Sequence, residues 1–145
     1  VQNAVIEKTL ALLSVPEADI PAPARRPGVA RVGSWIKFKF ALDANGTYCT
    51  TPMVPGACCF CLMGAITRAT YRVLGFPPSV NAEEWQRFQN ERAQIVNLCM
   101  DRIEARVGFR QSISAWNDEP FRTLDDVHGL LRDCLPEPVF CEGAD

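Results

Sequence analysis

A chain of 145 residues is long enough to bury a core without disulfide staples. Its 48% hydrophobic and 22% charged residues are those of a globular protein and exclude a wholly disordered chain. A formal net charge of −2 lacks the basic excess that non-specific nucleic-acid binding needs, and no apolar run reaches the roughly 18–20 residues of a membrane span, so neither nucleic acid nor membrane is an expected partner.

Residues 3–14 predict a helix, with Asn3 as N-cap and Val5, Ile6, Leu10 and Leu13 at helical spacing. Pro16 ends it. Residues 16–28 hold four prolines and no periodicity, which predicts a proline-rich loop. Such a loop leaves room for the first helix to stand off the body and dock on a neighbour. The only strong β signal follows: Val32, Ser34, Ile36, Phe38 and Phe40 alternate with Trp35, Lys37 and Lys39, placing the two sets on opposite faces. The turn residues Asp43 to Gly46 then predict a hairpin that returns through Tyr48 to Thr51.

From Ala57 a helix is expected to Leu74, with Cys58, Cys61, Leu62, Ala65, Ile66, Ala69 and Val73 on its apolar face. Gly64 and Ala65 make a flat patch there, where another backbone can come close. A long helix follows, capped by Asn81 with Glu84 three residues on. Its stripe is Trp85, Phe88, Ile95, Val96, Cys99, Ile103 and Val107, and Gly108 stops it. Residues 112–118 are too short to assign. The last helix starts at the N-cap Thr123, with Asp125 and Asp126 in its first turn. Residues 135–145 form an extended tail with an acidic end. The expectation is a single domain over 1–145, mainly α with about four helices and one small β-hairpin, α+β being the alternative.

Seven cysteines are an odd number and cannot all pair within one chain. Most read as buried thiols. Cys49 and Cys141 lie in polar, turn-rich surroundings and are the candidates for an intermolecular bridge. For catalysis, Cys58 and Cys59 would sit at the N-terminus of the helix from Ala57, where the dipole favours a thiolate. His128, the only histidine, would be the base, with Asn117 and Asp118 as orienters. That makes Cys61, Cys58, His128, Asn117 and Asp118 the set an enzyme would use, although no local cysteine-protease signature surrounds them. A zinc site would have to join Cys58 and Cys61 to Cys49 and His128, and this spacing is not a zinc knuckle, so no metal and no cofactor is expected. Gly-rich phosphate loops are absent. Arg25, Arg26, Arg31, Lys37 and Lys39 read as a solvated basic surface. Trp116 followed by Asn117 and Asp118 reads as a core plug and a turn fixed by two polar side chains.

Trp35, the Asp43–Gly46 turn, Cys61-Leu-Met-Gly64-Ala65, Trp116-Asn117-Asp118 and Arg122-Thr123 opening a helix with Val127 together carry a resemblance. The chain resembles a family of small uncharacterised bacterial and phage proteins, known only as a domain of unknown function. The resemblance implies no activity. It does imply that Cys61, Gly64, Trp116, Asn117 and Asp118 meet in space, and it fits a phage-borne origin. The first functional reading is therefore a non-enzymatic interaction or structural module, binding a protein partner or itself, in a bacterial cytoplasm or a virion. A small cysteine-dependent hydrolase or transferase is the alternative, and a small zinc-binding regulator the second alternative.

Overall fold

The computed structural model describes residues 1–78, 80–108 and 112–136. Their elements are α1 (Gln2–Leu12), β1 (Arg31–Val32), β2 (Trp35–Ile36), β3 (Ala41–Asp43), β4 (Tyr48–Cys49), β5 (Ala57–Phe60), α2 (Leu62–Leu74), α3 (Ala82–Val107), α4 (Ile113–Asp118) and α5 (Leu124–Asp133). The architecture is mainly α with a five-stranded mixed sheet of order β1-β2-β5-β3-β4, hence α+β. The expected hairpin between β3 and β4 is present, but it is one part of a larger sheet.

Two local events account for the added strands. First, the run from Val32 to Phe40 is not one strand. The chain reverses at Gly33 and Ser34, so that Arg31 and Val32 pair with Ile36 and Trp35. Ser34 anchors this reversal: its hydroxyl accepts the Val15 N–H and donates to the Leu12 carbonyl at the end of α1, a group with no partner inside its own helix. Trp35 and Ile36 still point to opposite faces, and both are buried because each face of the sheet is covered. Trp35, expected among the lysines, is buried, while Val32, Phe38 and Phe40 are exposed.

Second, Ala57–Phe60 is a strand and not the start of a helix. β5 lies at the centre of the sheet, parallel to β2 and antiparallel to β3. Central strands are buried on both faces and read as continuous apolar runs, which is the pattern that mimics a buried helix. α2 begins only at Leu62, with Cys61 as its N-cap, the thiol sulfur accepting from the Gly64 N–H at 3.3 Å. Cys58 and Cys59 therefore stand on a strand, outside the reach of the helix dipole, and Val73 is exposed.

The sheet separates two cores. Trp35, Ala41 and Phe60 face the helices and pack with Val5, Ile6, Leu62, Ile66, Ile103, Ile113 and Leu131. Ile36, Leu42 and Cys59 face the other way and pack with Ile20 and Ala24. The proline segment thus covers the second face of the sheet, through short 3-10 turns at Glu17–Asp19 and Ala22–Arg25. Gly46, at φ +82°, lets the β3–β4 turn slide under it, since a Cβ there would lie 2.3 Å from the Pro23 carbonyl oxygen. The first helix does not stand off the body: α1 packs on α2, α3 and α5 with Val5, Ile6 and Leu13 fully buried.

α3 is about 39 Å long at 1.5 Å per residue. Asn81 accepts from the Glu84 N–H as its sequence pattern implied. Only the C-terminal half of the expected stripe is well buried, at Cys99 and Ile103. In the N-terminal half the buried residue is Arg92, whose guanidinium donates to the Leu74 and Gly75 carbonyls. A cation there satisfies the last carbonyls of α2 and suits its dipole.

α5 opens on a complete capping box: Thr123 Oγ1 accepts from the Asp126 N–H, and Asp126 accepts from the Thr123 N–H. Thr123→Ala is expected to cost about 1 kcal/mol in a urea titration. The Thr123 backbone N–H holds the Asp126 carboxyl below its ordinary value of 3.8. This contribution is complete above that value and is lost as the pH falls below it. The stability difference between wild type and Asp126→Asn should accordingly narrow between pH 7 and pH 3.

Candidate functional site

Asn117 is the polar centre of the molecule. It is fully buried on α4, and all four of its hydrogen-bonding positions are used. Its Oδ1 accepts from the Trp35 indole N–H at 2.7 Å and from the Leu62 backbone N–H at 3.0 Å. Its Nδ2 donates to the Ile36 carbonyl at 3.1 Å and to the Asp118 carboxylate at 2.9 Å. One amide therefore ties β2, the first turn of α2 and α4 together. Trp116 closes the core beside it, and the Arg122 guanidinium lies 3.9 Å from the Trp116 ring centroid.

Asp118 extends this network outward. Its Oδ1 accepts from the Phe38 backbone N–H at 2.8 Å, while Lys37 Nζ donates to the Glu119 carbonyl at 2.6 Å. Phe38 is held at φ +71°, the only non-glycine residue with positive φ among those described. A bulky residue in the left-handed region is a true outlier. Its ring is 65% exposed, and Phe40 is 45% exposed.

These two rings border a cleft of about 480 Å³, lined also by Lys39, Tyr48, Cys49, Cys61 and Asp118. Gly64 brings its walls together, because the Phe40 carbonyl oxygen packs where a Cβ would stand, 2.2 Å away. The rim is basic. Lys39 and the Arg26 guanidinium each lie 5.4 Å from the Tyr48 ring centroid. Of the residues singled out from sequence, Trp35, Cys61, Gly64, Ala65, Trp116, Asn117 and Asp118 converge between α2, α4 and β2, and Cys61, Cys49 and Asp118 reach the cleft itself. Thr123 stands apart as a helix cap. Phe38, Phe40, Lys39 and Tyr48 were not singled out. The signal was there in two aromatics on a lysine-rich stretch, but reading that stretch as one regular strand hid it.

The thiol chemistry expected of an enzyme is not set up at the described cysteines, all six of which are free. Burial pushes the Cys49, Cys58 and Cys61 thiols above their ordinary values and Cys59 up to about 12, whereas a nucleophile needs the reverse. His128 is engaged elsewhere, its Nε2 2.8 Å from the Leu13 carbonyl and 3.4 Å from the Ser14 hydroxyl at the end of α1. No hydrogen bond among the described residues joins it to a thiol. Cys58, on a strand, and Cys61, at a helix cap, do not share the helical face that a common metal would require. Among the described residues no group of three or more His, Cys, Asp and Glu side chains could hold a metal ion. Cys141 lies outside the described residues. No helix among them is long and apolar enough to cross a membrane.

A family model described as a family of unknown function, DUF6197, matches residues 29–135. The chain belongs to this family. The DUF6197 stretch takes in the whole sheet, the Asn117 network and the aromatic cleft, and it leaves out α1 and nearly all of the proline segment. Every residue of the Trp35 to Val127 pattern falls inside it. No curated protein and no solved structure matches the chain.

Proposed function

We propose that this domain is a non-enzymatic interaction module whose aromatic cleft takes an apolar segment, flanked by acidic residues, from a second copy of the chain. The observation that carries the reading is Phe38. A left-handed phenylalanine costs about 1–3 kcal/mol, and such strain persists where the surroundings over-determine it and tends to mark functional sites. Here Asp118 and Lys37 hold the backbone in place, and the result is an aromatic ring turned out to water beside a cleft. Phe121, next to the segment that Lys37 grips, is a further exposed aromatic at 94%.

The occupant follows from charge and composition. A basic rim formed by Lys39 and Arg26 around an aromatic floor favours an apolar group between carboxylates. The chain carries such a stretch in Val139-Phe140-Cys141, between Glu137 and Glu142. Cys49 lines the cleft and Cys141 follows Phe140, so an incoming segment would bring the two thiols near each other. The partner in this reading is protein rather than nucleic acid or membrane. The resemblance to bacterial and phage proteins, read from the sequence motifs, makes a virion, where copies of one chain assemble, the setting we favour.

Sedimentation velocity on the full chain tests this. The wild type is expected to self-associate. Phe38→Asn is expected to be monomeric, with Kd weakened at least about tenfold, yet no less stable, because asparagine tolerates positive φ. An unchanged oligomer in Phe38→Asn, or a wild type that stays monomeric, overturns the proposal.

A further inference from the structure

Between α1, α2 and β5 lies a second cleft of about 310 Å³, which shares no lining residue with the aromatic one. Lys8 of α1 and Arg68 and Arg72 of α2 line it, and no carboxylate does. Arg68 is 4% exposed, an unusual place for a guanidinium with no counter-ion. Its Nη1 donates to the Pro52 and Val54 carbonyls at 2.9 and 2.8 Å, and the guanidinium lies 5.7 Å from the Phe60 ring centroid. Its Nε is buried with no acceptor. The ion pairs of the described residues are Arg31–Glu17 and Arg122–Glu119, so none reaches Arg68.

Two carbonyls and a ring only partly replace the water that a guanidinium loses. Both carbonyls accept from Nη1, and Nη2 makes no hydrogen bond among the described residues, which leaves a charged donor for an oxyanion. Arg72 and Lys8 add two more positive charges on the exposed side of the cleft. Leu12, Ile20 and Phe60 supply an apolar wall. The volume is at the small end of the range for ligand pockets.

We infer that this cleft binds a phosphate dianion carried by a small molecule with an apolar body. Three cations match a dianion better than a single carboxylate, and the apolar wall calls for more than inorganic phosphate alone. Burial and the neighbouring Arg72 both depress the Arg68 pKa, and an anion bound beside it would oppose both. Arg68 also braces the 52–54 loop against α2, so Lys8 and Arg72, which are exposed, are the residues to change.

The test is thermal unfolding and titration calorimetry of the full chain with phenyl phosphate, inorganic phosphate and benzoate, each against sodium chloride at matched ionic strength. Phenyl phosphate is expected to bind saturably and raise Tm by roughly 5–10 °C at about a hundredfold excess over Kd, with inorganic phosphate weaker. The double variant Lys8→Ala, Arg72→Ala is expected to keep the unliganded Tm and to lose at least about tenfold in affinity. No rise beyond sodium chloride, or an equal rise in the double variant, overturns the site. An equal response to benzoate overturns the dianion, and a phosphopeptide that binds where phenyl phosphate does not overturns the small-molecule ligand.

Discussion

Asn117→Ala is expected to lower the unfolding free energy by about 3–5 kcal/mol, a large share of what a domain of this size has. The substitution deletes one small polar group, yet it strands three others. The Trp35 indole N–H and the Leu62 N–H each lose their acceptor, and the Ile36 carbonyl loses a donor. Each unsatisfied buried donor costs about 1–3 kcal/mol, because water cannot reach it. Urea titration should show a lower midpoint at an unchanged slope. Asn117→Asp keeps the Oδ1 acceptor but sets a second carboxylate oxygen against the Ile36 carbonyl and the Asp118 carboxylate. It is expected to be worse than alanine at pH 7 and to recover as the pH falls and the buried acid takes up a proton.

The second large effect is a pair of identical substitutions with opposite signs. Gly64→Ala is expected to destabilise by about 2–3 kcal/mol and Gly129→Ala to stabilise by about 0.5–1 kcal/mol. Both glycines lie in helices, where alanine is the better residue. At Gly129 nothing stands within 4 Å of the added Cβ, so the propensity gain is realised. At Gly64 the Cβ meets the Phe40 carbonyl oxygen at 2.2 Å and its carbon at 3.1 Å. Those are backbone atoms, and no rotamer change moves them aside. α2 must shift from the strand approach, which breaks the Cys61 N–H bond to the same carbonyl. Paired urea titrations decide it, and a stabilised Gly64→Ala would mean that Phe40 does not sit there.

What the sequence disclosed was what neighbouring residues decide. The caps at Asn81 and Thr123, the stop at Gly108, the Asp43–Gly46 turn and the apolar spacing of the first helix are local signals, and each maps onto an element end or face. The close approach at Gly64 was legible as well, though not its partner. The failures are long-range. Phe38 leaves extended geometry because Asp118, 80 residues on, captures its N–H. Trp35 and Ile36 are both buried because the helices cover one face of the sheet and the proline segment the other. β5 read as a helix because a strand buried on both sides alternates nothing. Asn117 and Asp118 were singled out, but the amide's four partners lie on two other stretches of chain, β2 and the start of α2, and on its own neighbour. The second cleft left one trace in the sequence: Arg68 stands three residues after Ala65, on the buried face of α2, where an unpaired cation should not be.

In the proposed self-association the aromatic cleft receives residues near Phe140 from another copy. Mixing two variants separates the two halves of that contact. Phe38→Asn spoils the cleft and keeps the incoming segment, whereas Phe140→Ser spoils the segment and keeps the cleft. Each alone is expected to sediment as a monomer. Their equimolar mixture is expected to form a heterodimer through the one intact contact, weaker than the wild-type pair. A mixture that stays monomeric while the wild type self-associates would place the interface elsewhere and contradict the claim.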